Sequence, residues 1–148
     1  MRKLFCIIGL MLFFSGNVFA GNDIETNVLV KSGSSWDGAV LPAYPTQKPE
    51  ISILRIKIPA GAQLPLHKHP VINAGVLLSG ELTVITKDNK TLHLKAGDPI
   101  VEVVDTWHYG KNEGDVPAEI IVFYAGTPDS PITVKEGALQ NETSSVSH

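Results

Sequence analysis

Cysteine is almost absent from this chain, and basic residues are in a slight minority. The one cysteine, Cys6, lies within the first twenty residues, so the rest of the chain cannot form an internal disulfide bond and must be stabilised by burial. Lysine and arginine number 12 against 15 acidic residues, which gives a formal net charge of −3. Nucleic acids and anionic membranes bind to basic surfaces, which a mildly acidic chain lacks. We therefore expect neither as a partner.

A hydrophobic run long enough to span a bilayer is also missing. The apolar run at residues 4–14 has eleven residues, whereas a spanning helix needs roughly 20. A short basic stretch precedes this run and a small-x-small pattern ends at Ala20, which is typical of a cleaved export signal rather than a retained anchor. We therefore expect residues 1–20 to be a signal peptide. The mature chain would carry a formal charge of −5 and be periplasmic or secreted, free of the membrane.

Long helical periodicity is missing as well, and short apolar segments follow one another in its place. Glycine, proline, asparagine and aspartate separate these segments about every ten residues. The pattern predicts an all-β domain, a sandwich or a small barrel in which alternate side chains line the interior. The polar sequence KDNK at residues 87–90 predicts a hairpin turn. The predicted strands are 27–31, 51–58, 63–69, 73–78, 81–86, 91–95, 100–104, 107–110, 118–124 and, more weakly, 132–134.

Two segments interrupt this rhythm. Residues 32–50 are rich in glycine and proline, yet they carry Trp36, Leu41 and Tyr44. A loop of this length is either an arm laid across the barrel or a neighbouring subunit, or a lid over a pocket. The polar, serine-rich tail at 135–148 is expected to be disordered. We thus predict a signal peptide (1–20), an N-terminal strand with a Gly/Pro-rich arm (21–50), a barrel (51–134) and the tail.

The sequence LHKHPVINAG at residues 66–75 carries two histidines two positions apart. If residues 63–69 form a strand, His67 and His69 point to the same face with Cα atoms about 6.6 Å apart, so both rings can reach one ion. The same parity would turn Gln63 inward, where it would orient a ligand or bind the ion's water, unless it caps a bulge. Taken alone, two histidines on a strand are typical of a surface or hydrogen-bonded pair.

A second segment changes this interpretation because glycine, histidine and asparagine recur at fixed spacings. The spaced residues are Gly61, His67, His69, Asn73 and Gly80 in the first segment and Gly97, His108 and Asn112 in the second. This spacing resembles the cupin family, whose two motifs are G-x5-H-x-H-x3,4-E-x6-G and G-x5-P-x-G-x2-H-x3-N. The resemblance implies a double-stranded β-helix, or jelly-roll barrel, in which the three histidines bind one divalent transition metal.

The chain departs from the cupin motifs at three positions. Asn73 stands where the family commonly has a glutamate ligand, while Val103 and Asp105 replace the proline and glycine of the second motif. A neutral amide does not offset the charge of an ion, so a site of three imidazoles should attract an anionic ligand. Three nitrogens with open positions favour zinc or copper by affinity order, with iron, nickel and manganese as the alternatives. Asn73 would be a weak ligand or would hydrogen-bond a bound water.

Three further side chains are candidates for catalysis: Glu102, Tyr109 and Tyr124. Glu102 lies in the apolar sequence IVEVV and would be either a buried general base or an outward edge residue. The tyrosine hydroxyls could reach a substrate, although aromatic residues in strands are more often part of a core.

The resemblance leaves the function open between three classes. The first is a metal-dependent oxygenase, isomerase or lyase that acts on a small oxygen-rich or anionic molecule. The second is a non-catalytic module of the cell envelope that holds a metal or a small ligand. The third is a structural protein in which the cluster of three histidines is incidental. A fold does not decide among them. Because cupin strands commonly pair across subunits, the resemblance also implies a homodimer.

Overall fold

The computed structural model describes residues 24–137, so the predicted signal peptide and most of the predicted tail lie outside the described residues. Over these residues the regular structure is entirely β, and no helix there is long and apolar enough to cross a membrane. The strands found in residues 24–137 are β1 (Glu50–Ile58), β2 (His67–Lys68), β3 (Ile72–Ser79), β4 (Glu81–Thr86), β5 (Thr91–Lys95), β6 (Pro99–Val101), β7 (His108–Lys111), β8 (Ala118–Gly126) and β9 (Val134–Lys135).

The strands form two antiparallel sheets, with orders β1-β8-β3-β6 and β5-β4-β7-β2-β9. Most neighbours within a sheet are not consecutive in sequence, so the chain passes repeatedly from one sheet to the other. This crossing is the topology of a jelly roll, in which two sheets enclose one interior. The predicted all-β jelly-roll fold is therefore confirmed.

One hydrophobic core joins the two sheets. Strand alternation sends every second side chain inward, so Ile58, Ile120 and Val122 of the first sheet meet Leu82 and Val84 of the second. Each of these side chains is at most 7% exposed, and burying one stabilises the fold by roughly 1.5–3 kcal/mol. The interior is therefore apolar except where the strands bring polar side chains to it.

Two tight turns show how the chain reverses direction. The predicted hairpin after β4 is present, with Asn89 in the left-handed region at φ 67°. The turn before β7 also needs a left-handed residue, and Asp105 supplies it at φ 53° in the place of the motif glycine. Aspartate tolerates this conformation better than most residues. The replacement therefore keeps the turn that leads into His108.

The structure corrects four predicted strands. The strand predicted at 100–104 ends at Val101 as β6, so Glu102 follows it. Residues 27–31 form no strand, because alternation of side chains does not show whether a partner strand is available. The strand predicted at 63–69 is reduced to β2, since Pro65 has no N–H to donate and interrupts the ladder. The weak strand predicted at 132–134 lies slightly later, as β9.

The Gly/Pro-rich segment before β1 packs against the barrel. The backbone N–H of Trp36 donates a hydrogen bond of 2.9 Å to the carbonyl of Val101, the last residue of β6. The Trp36 side chain packs against the hydrophobic core. In the same segment, the Asp37 carboxylate lies 3.1 Å from Lys90 Nζ, beside the β4–β5 turn. Of the two interpretations of this segment, the described contacts fit an arm laid across the barrel.

Candidate metal centre

Three histidine rings meet inside the barrel. His67 and His108 are directly opposite each other in the pairing of β2 with β7, and His69 follows β2 at the same parity as His67. The three ring centroids are 4.5 to 5.1 Å apart. One ligand atom from each ring lies within 4.8 Å of the others, which is close enough for all three to bind one ion. The structure thus brings together the residues that the motif spacing selects.

Backbone carbonyls fix the orientation of all three rings. Each Nδ1 contacts a carbonyl oxygen, which can only accept a hydrogen bond, so each Nδ1 carries the proton and donates it. This leaves each Nε2 as a lone-pair donor, the arrangement found in histidines that bind metals. The carbonyl partners of His67, His69 and His108 are those of Pro65, Ile132 and Thr106, at 2.7, 2.7 and 2.8 Å respectively.

The environment of the rings suits a metal ion. His108 Nε2 is buried and has no hydrogen-bond partner among residues 24–137, a condition that costs about 1–3 kcal/mol unless a ligand satisfies the atom. Burial lowers the pKa of His67 and lowers that of His69 to about 4, and the neighbouring His108 ring adds to both effects. His67 and His69 are therefore neutral near pH 7, the form that binds metal. These residues fit a divalent transition metal.

The rings line a cavity of about 280 Å³. One part of its wall is apolar and includes Leu54, Ile56 and Val122 from the paired strands β1 and β8. The volume is close to the lower end of small-molecule sites, which run from roughly 300 Å³ upward. Such a cavity has room for a molecule of a few heavy atoms beside an ion.

Asn73 and Glu102 bring polar groups to the same cavity. Asn73 is 2% exposed, and its Nδ2 donates a hydrogen bond of 3.3 Å to the carbonyl of Val71. Glu102 is 9% exposed and also lines the cavity. The structure therefore selects the buried alternative for Glu102, whose side chain shares the inward parity of Ile100.

One of the two carboxylate oxygens of Glu102 accepts the hydrogen bonds that orient its side chain. Its Oε1 accepts hydrogen bonds from Trp36 Nε1 at 2.8 Å and from the backbone N–H of Val103 at 3.0 Å. Its Oε2 lies 3.9 Å from His108 Nε2, too far for a hydrogen bond. The free oxygen is thus directed toward the histidines.

Of the two tyrosines predicted as candidates for catalysis, Tyr124 lines the cavity and Tyr109 does not. Tyr124 is 3% exposed, lines the cavity, and packs edge-on against His69 with the ring centroids 5.3 Å apart. Burial raises the pKa of Tyr124 to about 12, and the nearby Glu102 carboxylate adds to this, so its hydroxyl stays protonated. Tyr109 lies between two buried residues of β7 and is not among the residues that line the cavity.

The inward position predicted for Gln63 is wrong. Gln63 is exposed and does not line the cavity, whereas its neighbour Leu64 does. The prediction counts parity along one continuous strand, but the ladder is interrupted at Pro65, so the alternation before it is not in phase with His67.

Sequence reasoning missed two features around the site. The first is the hydrogen bond from Trp36 to Glu102, for which the aromatic residue within a Gly/Pro-rich arm was the only signal. The second is the role of Asn112, the last residue of the motif, which is fully buried. Its side-chain N–H groups contact the backbone carbonyls of Ile58, Pro59 and Val116 at 2.9 to 3.1 Å. Asn112 therefore ties the end of β7 to the end of β1 and has a structural role.

Two antiparallel sheets that enclose three convergent histidines define a metal-binding jelly-roll barrel. Residues 54–124 match the family model described as a cupin domain. Two proteins of Oryza sativa subsp. japonica, germin-like proteins 8-14 and 5-1, are 31% and 32% identical to this chain over 85% and 90% of its length. The chain spans 60% of the first protein and 68% of the second. It belongs to the cupin superfamily.

Solved structures agree with this assignment. An oxalate oxidase in complex with the substrate analogue glycolate is 25% identical, with a TM-score of 0.51 over 61% of this chain and 50% of that one. An oxalate decarboxylase from Bacillus subtilis, described with Mn(II) centres, is 26% identical, with a TM-score of 0.50 over 58% of this chain and 24% of that one. The chain thus spans half or less of these enzymes.

Proposed function

We propose that this protein is a metal-dependent enzyme that acts on a small carboxylate or a similar oxygen-rich anion. The observation that carries the proposal is the set of three histidine rings that line one cavity, each with a nitrogen within 4.8 Å of the others, while each Nδ1 contacts a carbonyl. The likeness to an oxalate oxidase that binds glycolate supports a small carboxylate as ligand. A divalent ion at the three histidines would polarise a ligand oxygen and lower the pKa of bound water.

The side chains around the cavity suit an anion. Lys135 lines the cavity beside His67, its partner in the pairing of β2 with β9, and contributes a positive charge. The protonated hydroxyl of Tyr124 can donate a hydrogen bond to a substrate oxygen. The apolar wall from β1 and β8 limits the access of water to that oxygen and strengthens these interactions.

The identity of the metal is part of the proposal. Three neutral nitrogen ligands favour zinc or copper by affinity order. Manganese is the alternative, because a related oxalate decarboxylase is described with Mn(II) centres. Metal analysis of protein isolated from its own compartment decides between them.

A comparison of two histidine variants tests the function. His108→Ala removes a proposed metal ligand, whereas His93→Ala changes an exposed histidine on β5. Wild type and His93→Ala should contain one metal ion per chain and turn over a member of a panel of small carboxylates. His108→Ala should fold, contain no bound metal and be inactive. Equal metal content in all three proteins would contradict the proposal.

A non-catalytic metal or ligand carrier is the second candidate. It is favoured by the scarcity of groups that could accept a proton, since Glu102 is the one carboxylate among the described residues that line the cavity. A carrier should release its metal to a chelator of modest affinity, whereas an enzyme site should retain it. Metal retention and turnover measured on the same sample separate the two functions.

We further propose that the chain is exported and forms a homodimer. The basic, apolar and small-residue pattern of residues 1–20 supports export to the periplasm or the medium. An apolar outer face on the first sheet supports dimerisation, because Ile53 and Phe123 are paired across β1 and β8 and are 60% and 50% exposed. Exposed apolar patches of this kind are typical of protein interfaces.

A further inference from the structure

The geometry points to Glu102 as the carboxylate ligand of the metal centre, in place of the glutamate that the cupin motif has at the position of Asn73. The inference rests on the proposed three-histidine metal site and completes its ligand set. In this inference the Glu102 carboxylate binds the ion, and Trp36 in the arm orients the carboxylate.

The first argument is the register of two strands. The pairing of β3 with β6 brings Ala74 opposite Val101, and one step further it brings Asn73 opposite Glu102. The backbone N–H of Glu102 donates a hydrogen bond of 3.0 Å to the carbonyl of Asn73, so the two residues remain paired beyond the end of β6. Residues directly opposite each other have their Cβ atoms about 4.5–5.5 Å apart and point to the same face. A carboxylate on either residue therefore reaches the same part of the cavity.

The second argument is the arrangement of the carboxylate oxygens. Among residues 24–137, both donors that contact the Glu102 carboxylate act on Oε1, so Oε2 accepts no hydrogen bond from them. Oε2 faces His108 Nε2, which is also a lone-pair atom and is buried without a hydrogen-bond partner in the described part of the chain. Two such atoms repel each other across 3.9 Å unless a cation lies between them. Ligand atoms of a tetrahedral zinc ion are about 3.3–3.6 Å apart, a separation that needs only a small movement here.

The third argument is charge. Asn73 is neutral, so three imidazoles alone would leave a buried divalent ion with its full charge in an apolar cavity, which is costly. The Glu102 carboxylate reduces the net charge of the centre by one unit at the place where the motif carboxylate would do so. The chain therefore retains three nitrogens and one carboxylate, with the carboxylate supplied by the neighbouring strand.

Moving the carboxylate between the two strands tests the inference. Zinc affinity is measured by calorimetric titration for wild type, Glu102→Gln, the double variant Asn73→Glu/Glu102→Gln, and Glu50→Gln, which changes an exposed carboxylate at the start of β1. Glu102→Gln keeps an acceptor for Trp36 and removes only the charge. It should weaken zinc binding by at least roughly 10- to 100-fold, the loss that follows removal of a group that only supports a ligand. The double variant should recover most of the loss, and Glu50→Gln should bind as wild type does.

The outcomes separate this inference from the function on which it rests. If wild type binds no zinc, the three-histidine site itself is wrong. If wild type binds zinc and Glu102→Gln binds it equally well, the site stands and the ligand role of Glu102 is overturned. A crystal structure of the zinc-loaded wild type gives the same answer without a variant, should Glu102→Gln fail to fold. Glu102 Oε2 is expected within bonding distance of the ion, and an oxygen outside the coordination sphere would overturn the inference.

Discussion

The indole N–H of Trp36 donates a hydrogen bond of 2.8 Å to Glu102 Oε1, joining residues 66 positions apart in the sequence. Trp36 lies in the arm that precedes the barrel, and Glu102 lines the cavity that contains the histidines. The arm therefore contributes to the orientation of a polar group at the site.

Removing the indole donor should loosen Glu102 without removing its charge. Trp36→Phe keeps an aromatic ring against the core but lacks the N–H, and hydrogen bonds to charged groups contribute about 1.5–3 kcal/mol. We expect a lower free energy of unfolding and a zinc affinity between those of wild type and Glu102→Gln, read by denaturant titration and calorimetry. Trp107→Phe removes the same group from a tryptophan that does not line the cavity, so an equal loss of zinc affinity there would contradict the prediction.

Metal removal should destabilise the protein. A ligand that binds only the folded state at 100 times its Kd stabilises it by about 2.7 kcal/mol, which for a domain of this size raises Tm by on the order of 10 °C. We expect thermal unfolding to show this rise when zinc is returned to chelator-treated protein. His67→Ala should show no rise, while His93→Gln should behave as wild type does. A zinc-dependent rise in His67→Ala would locate the bound ion elsewhere.

The stabilisation that Asp37 of the arm contributes should be lost at acidic pH. Hydrogen bonds from Ser35 lower the pKa of Asp37 below its usual 3.8, and the backbone N–H of Ala39 and the Lys90 ammonium act in the same direction. Since the folded pKa is the lower one, the stabilising effect of Asp37 is complete above the unfolded pKa and is lost as the pH falls through both values. Wild type should exceed Asp37→Asn in Tm at pH 6, and the difference should shrink toward pH 3. A difference that stays constant over this range would refute the role of the charge.

Asn112 should be important for stability rather than for metal binding. Its amide satisfies three backbone carbonyls at a fully buried position, so Asn112→Ala leaves several acceptors without partners. We expect a loss of about 2–4 kcal/mol in the free energy of unfolding, with zinc affinity unchanged in the folded fraction. Asn27→Ala, at an exposed position in the N-terminal segment, should change stability by less than about 0.5 kcal/mol.

The apolar outer face of the first sheet should hold two subunits together. Ile53→Lys places a charge beside Phe123 on that face and should convert a dimer into a folded monomer, as measured by light scattering at micromolar concentration. Val116→Lys introduces the same charge at an exposed residue that precedes β8 and should leave the mass unchanged. A monomeric mass for the wild-type protein would contradict the proposed dimer.

The all-β class could be predicted from the sequence because alternation of apolar residues is local. The jelly-roll barrel and the meeting of the three histidines were implied by the resemblance of the spaced motifs to the cupin family, since the contact of His67 with His108 joins distant parts of the chain. The bounds of β4 and β5 agree with the alternation of apolar residues, which is undisturbed there by proline. The position of Gln63 could not be predicted, since a single proline shifts the parity of the segment before it. The relation of Glu102 to Asn73 was equally hidden, because it depends on which strands are neighbours and on their register. The spacing of residues along one strand indicates neither the neighbouring strands nor their register.

The match to the cupin domain covers residues 54–124, and Trp36 lies before it. A shortened protein cut to those limits would keep the three clustered histidines and Glu102, yet it would lack the Trp36 indole that donates a hydrogen bond to Glu102. The practical consequence concerns expression, since only the form that includes the preceding arm retains the Trp36 donor to Glu102.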